Sequence, residues 1–233
     1  MNDYKKRSQQ KELLDEDEIP FAEIVLNMKE LEWINAHLGG HSITIKGFKS
    51  LLQNEKKAIS VCEIGCGGGD NLKWIGQYCA TIRIHAQFLG IDINDNCIKY
   101  ARKHARLQNT RFFVSDYRKF SFEDKKPDII FSSLFCHHFT EEELVAMLRW
   151  MQVNSLRGFF INDLHRHPIA YYFIKLATKV FSKSRLVKND APVSVLRGFK
   201  KKEWKDLLQK AGISNYSIRW KWAFRFLIVV PPS

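Results

Sequence analysis

The sequence predicts an α/β fold built on a doubly wound, mostly parallel, seven-stranded sheet, and three observations lead to it. From residue 58 onward, short β-branched or aromatic runs alternate with helical patterns, with the spacing of βαβ units. A cluster of glycines directly follows the first of these runs, where such sheets bind ligands. The last two runs are joined too closely for a parallel crossover, so they predict an antiparallel C-terminal hairpin.

The strand-like runs fix the order of the sheet elements. Five of them are predicted to be parallel strands, at 58–64, 86–91, 111–115, 128–132 and 158–161. The hairpin strands are predicted at 217–222 and 224–230, at the edge of the sheet.

Two of the intervening helices carry sequence signals for their first turns. Asn94 or Asp95 can cap a helix after the second strand. Thr140 and Glu143 form a capping box for the helix after the fourth strand.

The helices of the C-terminal third are predicted from proline, glycine and polar positions. Pro168 suits the first turn of a helix, and a polar loop is expected through Asp190 and Pro192. The next helix is predicted over 200–211, ending at Gly212.

The chain divides into an N-terminal arm and a main domain. An apolar stripe over 21–33 predicts an amphipathic helix, and Gly39 and Gly40 mark the first turn-rich break. We therefore expect a helical arm or lid over 1–57, and a main domain over 58–233 with a lid insertion at about 166–198.

Composition limits the classes of protein that fit this chain. A chain of 233 residues, 45% hydrophobic and 13% aromatic, can bury a sizeable core. Its apolar runs are shorter than the stretch of about 18 residues that spans a bilayer, and its start is too polar for a signal peptide, so we expect a cytoplasmic protein. The five cysteines form no C-x-x-C pair, so reduced buried thiols are expected and no metal site.

The formal net charge of +12 is open to two interpretations. It could indicate nucleic acid or an acidic membrane surface as a partner. Because the basic residues are scattered and no basic-aromatic binding motif occurs, we favour a lysine-rich surface and do not expect nucleic acid binding.

The glycine cluster EIGCGGGDN, residues 63–71, excludes two nucleotide-binding motifs. Asp70 stands where the third glycine of the dinucleotide motif G-x-G-x-x-G should fall, which disfavours NAD. No G-K-[ST] follows, so the cluster is not a P-loop either.

The pattern acidic-x-Gly-x-Gly-x-Gly, formed by Glu63, Gly65, Gly67 and Gly69, resembles the class I S-adenosylmethionine-dependent methyltransferases. The resemblance covers about residues 58–164 and implies a Rossmann-like domain that binds S-adenosylmethionine. It implies that the loop passes the amino acid part of the cofactor. The cofactor-binding residues expected on this basis are Glu63, Gly65, Cys66, Gly67, Gly69, Asn71, Asp92, Ile93, Asp116, Tyr117 and Ser133.

Two acidic residues at strand ends extend the resemblance. In the family, an acidic residue ending the second strand holds the ribose hydroxyls, and Asp92 matches it; a carboxylate can accept from both hydroxyls. An acidic residue after the third strand lies near the adenine amine, and Asp116 matches it. Alternatively, Asp92 only caps the next helix and Asp116 only forms a turn.

Three histidines are predicted catalytic residues. His137 and His138 follow the fourth strand in DIIFSSLFCHHFTEEE, and His137 falls where the resembling plant small-molecule O-methyltransferases carry a general base. His138 stands where those enzymes carry an acid, so the partner that would orient His137 is not identified. Alternatively, one histidine lines the cofactor pocket or packs under the next helix.

The third histidine comes from the fifth strand. The segment NDLHRHP after this strand places Asp163, His165 and Arg166 together, and His165 could orient the acceptor. The alternatives are a turn before Pro168 and a solvated Arg166.

The acceptor class is inferred from an absent motif and from the lid. The chain has SSLFCHHF in place of the [N/D]-P-P-[Y/F] tetrad of amino-adenine methyltransferases, and 169–181 is apolar enough to cover a greasy acceptor. The layout is similar to bacterial methyltransferases of polyketide-derived or other phenolic secondary metabolites. We therefore expect O-methylation of a small phenolic or lipophilic acceptor. The alternatives are a quinone-pathway C-methyltransferase, an RNA methyltransferase or RNA-binding protein, and an inactive cofactor-binding relic.

Overall fold

The computed structural model describes residues 4–15, 19–52, 58–122 and 125–232, and it has the predicted seven-stranded sheet. The strand order is β3-β2-β1-β4-β5-β7-β6, with β7 antiparallel to both of its neighbours and all other pairs parallel. The prediction of a mostly parallel, doubly wound sheet with an antiparallel hairpin is confirmed. The strands are β1 (Ile59–Ile64), β2 (Ala86–Asp92), β3 (Thr110–Val114), β4 (Ile129–Ser133), β5 (Phe159–Leu164), β6 (Ser217–Lys221) and β7 (Arg225–Val230).

Eight helices cover the two faces and the ends of this sheet in the described part of the chain. Their bounds are α1 (Phe21–His37), α2 (Gly40–Leu52), α3 (Asp70–Thr81), α4 (Asp95–His104), α5 (Glu141–Asn154), α6 (Pro168–Phe181), α7 (Arg185–Arg197) and α8 (Lys201–Lys210). The two predicted caps are present: the Asn94 side chain accepts from the Cys97 amide at the start of α4, and Thr140 and Glu143 form the capping box of α5.

The core has two layers because side chains alternate between the faces of each strand. From β1, Ile59 and Val61 join the cluster under α2, α3 and α4, whereas Cys62 and Ile64 join the cluster under α5 and α8. All five cysteines are buried free thiols, as predicted.

Helix α7 corrects one prediction from the sequence. The expected polar loop through Asp190 and Pro192 is a helix, capped by the Ser184 side chain accepting from the Val187 amide. A proline inside a helix costs about 3 kcal/mol. Buried apolar residues such as Leu186, which is fully buried, offset this cost by packing against α1 and α6.

Helix α2 was not predicted, and it belongs to the core. It packs on β5 and β7, and Phe48 is fully buried there. The expected division of the chain at residue 57 falls outside the described residues, but α2, which precedes it, is part of the main sheet packing.

No helix in the described part of the chain combines the length and apolar character needed to cross a bilayer.

Candidate active site

A cavity of about 650 Å³ opens at the carboxyl ends of β1 to β4. It lies where the strand order reverses between β1 and β4, the position at which doubly wound sheets bind ligands. All eleven predicted cofactor-binding residues except Gly69 line it. Gly69 is instead the N-cap of α3.

Glycine is required in this loop by backbone conformation and by close contact. Gly65, Gly67 and Gly69 have φ angles of 66°, 48° and 75°, in the left-handed region. A Cβ on Gly65 would lie 2.3 Å from the Phe135 ring. The loop therefore brings bare backbone to the cavity wall.

Asp92 holds the loop in place with both carboxylate oxygens. Its Oδ2 accepts from the Gly67 amide at 2.8 Å, and its Oδ1 accepts from the Asn94 amide at 2.9 Å. Burial raises the pKa of Asp92. A carboxylate offers about four lone-pair sites, so two remain for ligand hydroxyls. The helix itself is capped by Asn94, so capping does not account for Asp92.

Glu63 is fully buried at the end of β1 and lines the same cavity. Its Oε1 accepts from the Asn71 side chain at 3.0 Å, while Oε2 has no partner among the described residues. Burial, and then the charge of Asp70, raise the pKa of Glu63 well above its usual range. Asp70 itself is paired with His41 at 2.7 Å.

Asp116 lies at the cavity but is already paired. The Arg118 side chain donates to both of its oxygens: Nη2 donates to Oδ2 at 2.7 Å, and Nε donates to Oδ1 at 3.0 Å. These hydrogen bonds lower the pKa of Asp116. The predicted contact of Asp116 with adenine stays a prediction.

A second cavity, of about 500 Å³ and almost wholly apolar, adjoins the first. Leu14, Leu31, Asn35, Leu134 and His138 line both cavities. Leu134 has a left-handed φ of 53° directly after β4, a strained conformation that tends to occur at functional sites.

His137 is buried between two carboxylates at the base of this second cavity. Its Nδ1 lies 2.8 Å from Asp163 Oδ1, and its Nε2 lies 3.3 Å from Glu12 Oε1. Burial alone would lower the pKa of His137, but Asp163 and Glu12 outweigh it and raise the pKa to about 9. A histidine protonated at neutral pH cannot accept a proton, so this geometry does not support the predicted base role of His137.

His138 is more accessible and faces both cavities. Its side chain is 18% exposed, and its Nδ1 lies 3.2 Å from Asp15. Asp15 therefore provides a carboxylate that orients His138, a contact that no local sequence pattern indicates.

His165 lines neither cavity. Its ring packs near Phe226 at a centroid distance of 4.9 Å, and burial, then the charges of His167 and Arg166, lower the pKa of His165 to about 4. Arg166 is not solvated; it is buried and pairs with Glu203 at 2.6 Å. The predicted role of His165 in orienting the acceptor has no support in this arrangement.

Two arginines clamp the turn that carries His137 and His138. Arg197 donates to the carbonyls of both histidines, at 3.0 Å and 2.8 Å, and Arg7 donates to the His137 carbonyl at 3.1 Å. Sequence analysis missed these residues and Glu12 because they come from distant segments, and no local motif marks them.

Glu12, His137 and His138 also form the one group in the described ranges whose ligand atoms are close enough for a metal ion, within 4.8 Å of one another. The three residues already pair with one another: His137 Nε2 lies 3.3 Å from Glu12 Oε1, and His138 Nε2 lies 3.7 Å from Glu12 Oε2. The expected absence of a metal stays a prediction.

Comparison with known proteins identifies the central part of the chain. Residues 61–153 match the family described as "Methyltransferase domain". This segment is therefore similar to a methyltransferase domain. With the fold and the glycine-loop cavity, this match confirms the prediction of an S-adenosylmethionine-dependent methyltransferase and of its cofactor. No curated protein sequence is significantly similar to the chain.

Solved methyltransferase structures share the fold. An S-adenosylmethionine-dependent methyltransferase from Aquifex aeolicus superposes with a TM-score of 0.65 at 16% identity, covering 93% of this chain and 100% of that one. The plantazolicin methyltransferase BpumL, in complex with S-adenosylhomocysteine, gives 0.63 at 16% identity, covering 92% and 85%. The magnesium protoporphyrin IX methyltransferase of Synechocystis, with bound S-adenosylmethionine, gives 0.57 at 14% identity, covering 94% and 100%.

Proposed function

We propose that this methyltransferase transfers the methyl group of S-adenosylmethionine to a hydroxyl of a small aromatic or lipophilic acceptor. The observation that carries the proposal is the apolar cavity that shares wall residues with the glycine-loop cavity. An acceptor in the apolar cavity would lie next to a methyl donor in the glycine-loop cavity. Such positioning is the main requirement for displacement at an activated methyl group.

The exposed apolar side chains of helix α6 favour a lipophilic acceptor. Ile169 and Phe173 line the apolar cavity and are 62% and 55% exposed. Apolar side chains left exposed at the rim of a cavity favour apolar ligands. This agrees with the lid expected for 169–181.

Similarity of fold does not determine which atom of the acceptor is methylated. Two similar structures are methyltransferases of plantazolicin and of magnesium protoporphyrin IX, which are different acceptors. The hydroxyl acceptor therefore rests on the cavity and on His138, whose imidazole can remove a hydroxyl proton.

The test is incubation of the full chain with S-adenosylmethionine and a panel of phenols, enols and alkylated quinones, followed by mass spectrometry and NMR of the products. We expect methylation on oxygen. Asp92→Ala should lower the affinity for S-adenosylmethionine by roughly 10- to 150-fold, because loss of hydrogen bonds to a carboxylate weakens the cofactor by about 1.5–3 kcal/mol. Asp95→Ala is the matched control, since Asp95 is exposed and its one ion pair within the described residues is with Lys99.

Methylation on carbon would establish the C-methyltransferase alternative. Methyl transfer to RNA but to no panel member would replace the proposal with an RNA methyltransferase.

A further inference from the structure

Arg225, the first residue of β7, is a buried cation in the wall of the apolar cavity. It is 3% exposed and lines that cavity together with Asn35. Its Nη2 donates to Asn35 Oδ1 at 2.9 Å. Its Nε and Nη1 have no hydrogen-bond partner among the described residues.

The two carboxylates whose charges act on Arg225 are each paired with a histidine. Asp70 pairs with His41 at 2.7 Å, and Asp163 pairs with His137 at 2.8 Å. Burial lowers the pKa of Arg225 to about 10, while the charges of Asp163 and Asp70 oppose this. The guanidinium is therefore still charged at neutral pH.

The surroundings of Arg225 are arranged to leave room for this charge. A Cβ on Gly40 would lie 3.0 Å from Arg225 Nη1 and 2.8 Å from Asn35 Oδ1, so only glycine fits there. Gly40 is also the first residue of α2, and a helix N-terminus carries a partial positive charge. The N-terminus of α2 therefore adds to the positive potential that Arg225 creates at one end of the apolar cavity.

A buried cation without a hydrogen-bonded counter-ion destabilises a protein, and buried donors without acceptors usually have a functional explanation. A planar guanidinium with two free donor nitrogens suits an oxyanion. We propose that Arg225 binds the ionised acidic group of the acceptor, which is therefore an amphipathic organic anion: a carboxylate, phenolate or enolate on an apolar body. The inference deepens the proposed function, because it concerns the same acceptor cavity.

Binding of two matched probes tests the proposal without requiring turnover. Octanoate and 1-octanol share an apolar chain and differ in charge. Affinities are measured by calorimetry on the full chain saturated with S-adenosylhomocysteine. We expect octanoate to bind at least about tenfold more tightly than 1-octanol. The reason is that each charge-assisted hydrogen bond contributes about 1.5–3 kcal/mol, or roughly tenfold or more in affinity.

Arg225→Met removes the charge and keeps an apolar side chain of similar length. It should weaken octanoate at least about tenfold and leave 1-octanol and S-adenosylhomocysteine within about twofold. Arg219→Met is the matched control on the neighbouring strand, where Arg219 is exposed, and should change none of the three affinities. The Tm of Arg225→Met should be unchanged or higher, because an uncompensated buried charge has been removed.

Three outcomes would overturn the proposal. The first is equal binding of the two probes, or no binding of either, by the wild type. The second is an unchanged octanoate affinity in Arg225→Met. The third is a loss of 1-octanol affinity in Arg225→Met that equals its loss of octanoate affinity. If Arg225→Met does not fold, the wild-type preference for octanoate and a partial loss in Arg225→Lys decide the question. Absence of any methylated product would contradict the proposed function. The preference for octanoate is measured by binding alone, so its outcome does not depend on whether methylation is observed.

Discussion

At the residue scale, the two histidines that follow β4 differ in their surroundings and therefore in their chemistry. His137 is 2% exposed and is held as a cation by Asp163 and Glu12. His138 lines both cavities and is oriented by Asp15. His138 is therefore the better placed base, the reverse of the order predicted from the sequence.

We expect His138→Gln to lower turnover by about a hundredfold or more, because general bases typically contribute 10² to 10⁴. The affinity for S-adenosylhomocysteine should stay nearly unchanged. His85→Gln, at an exposed position before β2, is the control. Steady-state kinetics across pH measure the effect; a loss smaller than tenfold would mean that the acceptor loses its proton without His138.

The part of the site that is continuous in sequence could be predicted from it. The glycine loop and Asp92 lie at the ends of successive strands, so their order along the chain places them at one edge of the sheet. Glu12 and Arg225 come from opposite ends of the chain, and only tertiary packing brings them to the second cavity. The sequence correctly places His165 directly after β5, but it does not show that the side chain packs against the hairpin.

At the scale of elements, α2 shows how a glycine pair can mislead. Gly39 and Gly40 indicate a break, and the chain does turn there, but it continues as a helix through Leu52. Inside this helix, Gly47 lets the backbone approach β5: a Cβ there would lie 2.4 Å from the Phe160 ring. That ring is stacked on Phe131 at a centroid distance of 4.8 Å and has little room to move.

We predict that Gly47→Ala destabilises the protein by about 1–2 kcal/mol, because an overpacking cost of about 1–3 kcal/mol exceeds the helix propensity gain of up to about 1 kcal/mol. Gly76→Ala in α3 is the matched control. Its Cβ would also meet a side chain at 2.4 Å, but that atom is the end of the partly exposed Leu107, which can shift. Urea unfolding of both variants measures the difference, and equal stabilities would show that β5 and α2 can separate freely.

At the scale of the whole molecule, periodicity predicted the sheet, whereas long-range ion pairs could not be predicted. The alternation of strands and helices depends on local patterns, so the seven strands and their directions follow from the sequence. The N-terminal segment 4–15 carries no periodic pattern, yet Glu12 and Arg7 reach the turn after β4. The global stability of the protein therefore depends on charges that join the N-terminal segment to the turn after β4.

The pH dependence of stability tests this network. The folded pKa of His137 is about 9, above its usual 6.5, so its contribution is complete below pH 6.5 and is lost as the pH rises through 9. Burial raises the pKa of Glu63 and Asp92, and their ionisation lowers stability in the same direction. The lowered pKa values of Asp163 and Glu12 give stability that is lost only as the pH falls through their acidic range.

We therefore expect the Tm to be highest between about pH 5 and 6.5 and to fall toward pH 9. A change in the His137 pKa of this size corresponds to about 3 kcal/mol, or roughly 6–12 °C in Tm for a chain of this length. His137→Gln should lower the Tm at pH 6 and show a shallower decline toward pH 9, because it cannot carry the charge. Scanning calorimetry at constant ionic strength measures both curves. A wild-type Tm that is constant from pH 6 to 9, or a variant with an identical slope, would show that His137 is not held as a cation by Asp163 and Glu12.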